Sequence, residues 1–415
     1  MSTVRHWLIL IVLSLSGGII FLLPFLFEVY YRAVADALGI TNTEMGILFS
    51  AFGVTSLIVY FPGGCLADRM SPRKLMTFSL IATGLGGLWF ATFPSYEIVV
   101  GLHIFWGVSI TLLFWGAMIR MTRNWAPPEE QGKAFGLLES IRGVGEAGTH
   151  SILLLIFAWL GSTGQALSTV ITILSFIIIG LGVLSWFVIE DLDRNSVKET
   201  KDPVTLAEIL HVLRMPIVWL IALVVLCAYS AYWSSFMTTP YASDILLTTV
   251  AVAGAISIGR QWLKPATAAI AGFAADRFGI AVTVAAMFAV LVAGFGALAL
   301  SNPDPERLAV ALVNIAIIGI AIFALRGIYF ALLEEGGVPL AVTGTAGGIV
   351  SAVGFTPDIF MPLFFGMVTD AYPGATGYRY FFLTTSGIAA VGLAAALVIY
   401  FRYVKPAATT QSGSR

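Results

Sequence analysis

The chain has 415 residues, of which 58% are hydrophobic and 11% are charged, and its formal net charge is -1. A soluble domain carries about 25% charged residues, so this composition excludes an ordinary water-soluble fold and indicates a surface that faces lipid. There is no basic run, and the two cysteines lie far apart in apolar surroundings, which argues against nucleic-acid binding, a metal centre or a disulfide framework, and no cofactor is expected.

Twelve apolar segments follow one another along the chain, and each is long enough to cross a bilayer. A spanning helix needs about 20 mostly apolar residues. The segments of this length, numbered here as spans 1 to 12, are about 7–31, 44–67, 74–94, 97–122, 133–160, 165–188, 214–238, 247–274, 279–300, 308–333, 341–369 and 379–403. The sequence therefore predicts an all-α membrane protein of twelve transmembrane helices.

The one long polar run between the spans, residues 190–203, separates six spans from six. This division predicts an N-terminal six-helix bundle at 1–189, a cytoplasmic linker at 190–212, and a C-terminal six-helix bundle with a short cytoplasmic tail at 213–415. Lysine and arginine are concentrated in the loops on the linker side of the spans. Because positively charged loops stay in the cytoplasm, we expect a multi-pass inner-membrane protein with both termini in the cytoplasm.

A charged loop occurs once in each half, directly after the second span. The residues of the two copies are Gly64, Asp68, Arg69, Arg73 and Lys74 in the first and Gly272, Asp276 and Arg277 in the second. An acid and a base at the end of a helix can pair in one conformation and separate in another, which is typical of a gate. A fixed anchor that sets the membrane topology is the alternative interpretation.

Twelve spans, a six-plus-six division and a G-x-L-A-D-R-x-x-x-R-K loop resemble the major facilitator superfamily over the whole chain. Ser71 stands where the family usually has glycine, and the second copy of the loop lacks the distal basic pair. The resemblance implies two pseudo-symmetric bundles that rock around a central site, a cavity lined by spans 1, 4, 7 and 10, and span 5 packed against span 8. It also implies a monomer, and a cytoplasmic gate that contains Asp68 and Arg69.

Ionisable residues deep within the spans are the candidate functional residues, because each costs about 2.5–3.5 kcal/mol in lipid and so faces a partner or a cavity. They are Glu139, Arg142 and Glu146 in span 5, Arg260 and Lys264 in span 8, Arg326 in span 10 and Asp358 in span 11. Arg260 and Lys264 lie one helical turn apart and repel each other unless an anion joins them. We expect that anion to be Glu146 or Glu139 at rest, and an anionic substrate during transport.

The predicted substrate site centres on Arg326, Arg260 and Lys264, with Arg142 as a further basic residue. Tyr329 follows Arg326 at i+3, and Tyr229, Tyr232 and Trp233 belong to a hydroxyl-rich run in span 7 that we expect to give polar contacts to the substrate. Glu146 or Asp358 is the expected proton carrier, with Glu139 as a weaker candidate, and Pro357 is expected to kink span 11 beside Asp358. A static salt-bridge network is the alternative for these charges.

The sequence thus predicts a secondary transporter that takes up a small organic anion, such as a carboxylate, a sulfonate or a sugar acid, together with protons. No nucleotide-binding loop is present, so ATP is not the expected energy source. One alternative is a proton-coupled exporter of drugs or amphiphiles, which the glycine-rich but proline-free run 143–148 disfavours. A non-transporting sensor of the same fold is another alternative. No constellation of residues indicates an enzyme.

Overall fold

The computed structural model of the chain describes residues 3–127, 130–189, 206–301, 308–339 and 342–405. Throughout these ranges the chain forms helices and no β-strand. Most of the predicted linker (190–205) lies outside the described residues, so the limits of the linker and of the two bundles remain predictions.

Eight α-helices form the first half of the chain: α1 (Thr3–Ile19), α2 (Phe27–Leu38), α3 (Asn42–Arg69), α4 (Pro72–Phe90), α5 (Tyr96–Trp106), α6 (Gly116–Trp125), α7 (Gln131–Trp159) and α8 (Gly164–Val188). The second half contains α9 (Leu206–Leu213), α10 (Pro216–Phe236), α11 (Thr238–Asp244), α12 (Val250–Phe278), α13 (Ile280–Leu300), α14 (Leu308–Ile328), α15 (Leu332–Glu335), α16 (Thr343–Gly354), α17 (Pro357–Ala371) and α18 (Ala375–Ile399).

Several of these helices join end to end into longer transmembrane segments. Counting single helices and joined helices together, 10 segments among the described residues are long and apolar enough to cross a membrane. The longest is Val4–Leu38. The helices α4 and α12 occupy the two predicted spans that remain. The predicted all-α architecture of twelve transmembrane helices is therefore confirmed.

The helices are grouped into two compact units. One comprises Met1–Lys198 with Thr248–Trp262, and the other comprises Glu199–Leu247 with Leu263–Arg415. The helix α12 is thus divided between the units, whereas the sequence-based division placed all of it in the second bundle. Its first half packs within the first unit because Gly254 leaves room for close neighbours: a Cβ there would lie 3.0 Å from Val29 and Leu154.

Spans 1, 4, 7 and 10 are each interrupted by irregular backbone. Span 1 changes to a 3₁₀ turn at Ile20–Leu22, span 4 contains a π-helical stretch at Gly107–Trp115, span 7 breaks at Met237, and span 10 has a 3₁₀ turn at Tyr329–Ala331. Pro24, which has no N–H, follows the first of these breaks. Irregular backbone at membrane depth is tolerated where it lies in protein or lines a water-filled cavity. The backbone at these four interruptions is therefore expected to contact protein or water and not lipid.

The second charged loop ends in a carboxylate cap. Gly279 has a φ of +91°, a conformation that glycine adopts readily, and α13 begins directly after it. Glu335 of α15 accepts hydrogen bonds from the backbone N–H of Ile280 at 3.0 Å and of Ala281 at 2.6 Å. A carboxylate at this position satisfies two otherwise unpaired amides and lies at the positive end of the helix dipole.

Replacing Glu335 with alanine is expected to destabilise the protein by about 1–2 kcal/mol, because the first turn of α13 loses its cap. Glu334→Ala is the matched control, since Glu334 is the exposed neighbour in the same short helix. Thermal unfolding in detergent measures both variants. Equal melting temperatures for the two variants would contradict a capping role for Glu335.

Candidate functional site

The guanidinium of Arg326 lies against two tyrosine rings inside the second unit. Arg326 is in the last turn of α14, just before the 3₁₀ turn at Tyr329–Ala331. Its Cζ atom is 3.9 Å from the ring centroid of Tyr232 and 5.5 Å from that of Tyr229. The two tyrosines are three residues apart on α10 and therefore present their rings on one face. This arrangement is a cation–π contact at membrane depth.

Asp358 lies beside this arginine, at the start of α17. Span 11 breaks between α16 and α17, immediately before Pro357, which confirms the predicted kink. The Trp233 indole N–H donates a hydrogen bond of 2.6 Å to Asp358 Oδ1. The side chains of Arg326 and Tyr229 are also close enough to interact electrostatically with this carboxylate. Five predicted site residues (Arg326, Asp358, Tyr229, Tyr232 and Trp233) are thus brought together, and Tyr329 is buried next to them.

We call this group, with Tyr329, the arginine–aspartate site. Arg326, Asp358 and the two α10 tyrosines are partly buried as whole residues, although the Nη1 atom of Arg326 is itself buried. The rest of the surroundings is aromatic, because Phe355 stacks near Tyr229 at 4.8 Å and Phe236 near Tyr232 at 4.8 Å. An arginine presents several N–H groups in a planar fork that suits carboxylate, sulfonate and phosphate oxygens. The site therefore has the chemistry to hold a small anion against aromatic rings.

A second arginine is stacked on an aromatic ring inside the first unit. Arg142 of α7 forms an ion pair with Glu139, three residues before it, and its Cζ atom is 5.3 Å from the ring centroid of Trp115. Glu139 is half exposed, whereas Arg142 is largely buried. The Trp115 indole N–H donates to the Tyr60 hydroxyl at 3.1 Å. Glu146, one turn further along α7 from Arg142, is partly buried.

The predicted basic pair of span 8 has an unexpected partner. Arg260 forms a buried ion pair with Glu28 of α2, a residue that the sequence analysis did not consider. The interruption of span 1 explains the omission: measured as one continuous helix, residues 7–31 place Glu28 at the membrane surface, whereas it belongs to a second helix that begins at Phe27. The signal in the sequence was Pro24, which precedes Glu28 by one helical turn. Lys264, the other member of the basic pair, is partly buried in the half of α12 that belongs to the second unit.

The gate residues lie at helix ends as predicted, although their gating role remains a prediction. Gly64, Asp68 and Arg69 are in the last turns of α3, and Gly272, Asp276 and Arg277 occupy the corresponding end of α12. Ser71 caps α4 by accepting a hydrogen bond from Lys74 N–H at 3.3 Å, and the Arg73 Cζ lies 4.6 Å from a Trp186 ring. The side chain of Asp68 lies outside the described part of the structure.

The contact between Arg326 and Tyr232 is expected to contribute about 0.5–2 kcal/mol, because a partly desolvated cation over an aromatic face is worth that much. The measurement is a double-mutant cycle with Tyr232→Leu, Arg326→Met and the double variant, followed by thermal unfolding in detergent. Additive losses would show that the ring and the cation are not coupled. The same cycle with Tyr241→Leu, an aromatic residue that packs against Tyr378 and Phe382, serves as the control.

Comparison with known proteins places the whole chain in one family. The family model described as Major Facilitator Superfamily matches residues 7–362. The Escherichia coli K12 "Inner membrane protein YqcE" is 31% identical over 410 residues, covering 97% of this chain and 95% of that protein. "Inner membrane protein YihN" of the same organism is 27% identical over 388 residues, covering 92% of each chain. A solved bacterial homologue of the human lysosomal transporter Spinster has a TM-score of 0.80 at 13% identity, covering 98% of this chain and 99% of that one.

Shorter stretches are similar to proteins whose names include a substrate or a phenotype. The "Probable sulfoacetate transporter SauU" of Cupriavidus necator is 27% identical over 156 residues, which is 37% of this chain and 33% of that protein. The "Quinolone resistance protein NorA" of Staphylococcus aureus is 25% identical over 104 residues, 25% of this chain and 26% of that protein. The family model and the full-length relative carry the assignment: the chain belongs to the major facilitator superfamily and is a multi-pass membrane transporter, not an enzyme.

Proposed function

We propose that this transporter takes up a small organic anion together with protons by alternating access. The observation that carries the proposal is the position of Arg326, whose guanidinium lies over Tyr232 beside Asp358 within the spans. Burying a cation in a membrane protein is costly, so such residues usually mark a substrate or ion pathway. Substrate candidates are carboxylates, sulfonates and sugar acids, since all present oxygens that a guanidinium can bind in two-pronged fashion.

The carboxylate of Asp358 does not rule out an anionic substrate at this site. One of its oxygens already accepts the Trp233 indole N–H, so part of its charge is stabilised without Arg326. A guanidinium has more N–H groups than one carboxylate can engage. Arg326 can therefore contact Asp358 and still donate to a substrate anion. Partial similarity to the protein named as a probable sulfoacetate transporter supports this class of substrate.

The other predicted residues retain their proposed roles. Arg142, Arg260 and Lys264 supply further positive charge, and Glu146, Asp358 and Glu139 are the carboxylates that the sequence offers as carriers of the coupling proton. Proton coupling requires a carboxylate whose protonation changes when a neighbouring cation is taken by the substrate. We further propose that the transporter works as a monomer, with both termini in the cytoplasm, as the distribution of lysine and arginine predicts.

Proton-coupled export of a drug or amphiphile is the second candidate function. It draws on the partial similarity to NorA, a protein named for quinolone resistance, and on the aromatic rings around Asp358, because an acid among aromatic rings is suited to a lipophilic cation. In that case Asp358, not Arg326, would be the residue that holds the substrate. The two functions thus make opposite predictions for the two residues of one site.

The test is a thermal-shift and calorimetric screen of the purified protein with sulfoacetate, simple carboxylates, a neutral sugar and a lipophilic cation. We expect an anion to bind, and Arg326→Gln to weaken that binding at least tenfold, because a charge-assisted hydrogen bond contributes about 1.5–3 kcal/mol. Arg379→Gln is the control, because Arg379 is an exposed arginine of α18 that donates to the carbonyl oxygen of Ala299 at 3.1 Å.

Equal loss of anion binding in Arg326→Gln and Arg379→Gln would contradict a specific role for Arg326. Binding of the lipophilic cation alone, abolished by Asp358→Asn and preserved in Arg326→Gln, would replace anion uptake with cation export.

A further inference from the structure

Glu28 and Arg260 form an ion pair that is removed from water almost completely. Only 6% of Glu28 and 3% of Arg260 is exposed, and both belong to the first unit. Taking two charges out of water costs several kcal/mol for each ion, and their attraction repays this only with good geometry. Apolar residues of similar volume would fill such a place at less cost. A buried pair of this kind is therefore weak evidence for a stabilising role and suggests a functional one.

Further buried polar residues lie on the helices around the ion pair, and we call them, together with the pair, the Glu28 cluster. They are Tyr30 of α2, His150 of α7, and Ser257 and Gln261 of α12. Gln261 follows Arg260 in the chain, and its Oε1 lies 3.1 Å from His150 Nδ1. Ser257 is one helical turn before Arg260, and Tyr30 is two residues after Glu28. The cluster also has an apolar contact: the Tyr30 ring packs edge-on against Phe157 of α7, with ring centroids 5.1 Å apart.

Four atoms of this cluster are buried polar groups without a hydrogen-bond partner among the described residues. They are the Tyr30 hydroxyl, His150 Nε2, the Ser257 hydroxyl and Gln261 Nε2. Tyr30, His150 and Ser257 have no exposed surface at all. More than about 90% of buried polar groups in proteins are hydrogen-bonded, either to protein or to ordered water. Four such atoms on the three helices of the cluster are therefore more than an apolar interior ordinarily leaves.

We propose that Glu28 is the carboxylate that binds the coupling proton, with Arg260 as the cation that the proton releases. This inference rests on the proton coupling of the proposed function and assigns it to a residue that the sequence did not indicate. When a proton binds to a Glu28 oxygen, the carboxylate becomes a neutral acid and the ion pair is lost. One proton is taken up, no covalent bond of the protein breaks, and Arg260 becomes available to an anion.

The other carboxylates that are candidates for binding the coupling proton have different surroundings from Glu28. Glu139 is half exposed beside Arg142, so water can stabilise its charge in every state. Asp358 accepts a hydrogen bond from the neutral Trp233 indole N–H. Glu28 is a buried carboxylate that forms an ion pair with a cation on a different helix. The strength of that ion pair therefore depends on the position of α12.

Other ionisable groups lie on the helices around Glu28. Their charges also affect the protonation of Glu28. Tyr30, Tyr31, Arg32 and Asp36 are on α2 itself, and His103 of α5 stacks against Phe27 at 5.6 Å. His150 and Glu146 are on α7, and Arg260 is on α12. The helix α8, which packs against α2, contains no ionisable residue. Arg260 is the group in direct contact with the Glu28 carboxylate.

The test is a pH titration followed by infrared difference spectroscopy, which detects the carbonyl stretch of a protonated carboxylic acid. It uses the full-length purified protein in lipid, without any substrate, and the proton itself is the probe. On acidification we expect wild type to show, besides the bands of its hydrated carboxylic acids, a separate high-frequency band from a poorly hydrated acid. We expect Glu28→Gln to lack this separate band and Glu28→Asp to retain it at a shifted frequency. Because no anion is present, the result does not depend on whether the anion proposal holds.

Glu28→Gln leaves Arg260 without its counter-ion, so the double variant Glu28→Gln with Arg260→Gln provides a folded comparison without a buried charge. It is also expected to lack the band. Glu97→Gln, at an exposed position in the first turn of α5, is the control that must keep the band. Loss of the band in Asp358→Asn or Glu146→Gln, together with its persistence in both Glu28→Gln variants, would overturn the assignment. Absence of this separate band in wild type would overturn it as well.

Discussion

Neutralising charge inside a hydrocarbon layer is the constraint on which the rest of this structure depends. An unpaired ion in lipid costs several kcal/mol, and this chain nevertheless places arginines and carboxylates within its spans. In the structure, each of three arginines within the spans lies against a carboxylate, aromatic rings or both. Arg260 has a carboxylate, Arg142 has a carboxylate and an indole ring, and Arg326 has two tyrosine rings beside a carboxylate. Each arrangement places a negative charge or an aromatic face against an arginine within the spans.

Irregular backbone places these groups. The break in span 1 starts a new helix at Phe27 and so carries Glu28 into a buried position, and the break before Pro357 puts Asp358 in the first turn of α17. Arg326 likewise precedes a 3₁₀ turn. A continuous helix would fix the depth of each side chain by its rise per residue alone. Where a helix is interrupted, the depth of a side chain no longer follows from its position in the sequence. Polar side chains can then lie at depths that a continuous helix does not predict.

The fold was predictable from the sequence because lipid imposes a simple rule of about 20 apolar residues per helix. The residues of the arginine–aspartate site were largely predictable as well. Trp233 and Arg326 lie on spans 7 and 10, which the family resemblance assigns to one cavity, and Asp358 was identified by its depth in span 11. Glu28 was not predictable in the same way. Its buried position depends on the helix break at residues 20–26, and its ion pair depends on Arg260, more than two hundred positions away. Neither can be read from the average hydropathy of a stretch of sequence. The partner of Arg260 required the three-dimensional structure.

The central claim is that protons drive an organic anion through this transporter, and uptake into proteoliposomes tests it most directly. The measurement is the accumulation of labelled sulfoacetate by the wild-type protein, with and without an imposed proton gradient that is acidic outside. The account predicts accumulation above the external concentration only while the gradient lasts, and its collapse on addition of a protonophore. Uptake that is indifferent to the gradient, or no movement of the anion while a lipophilic cation is driven against the proton gradient, would contradict it.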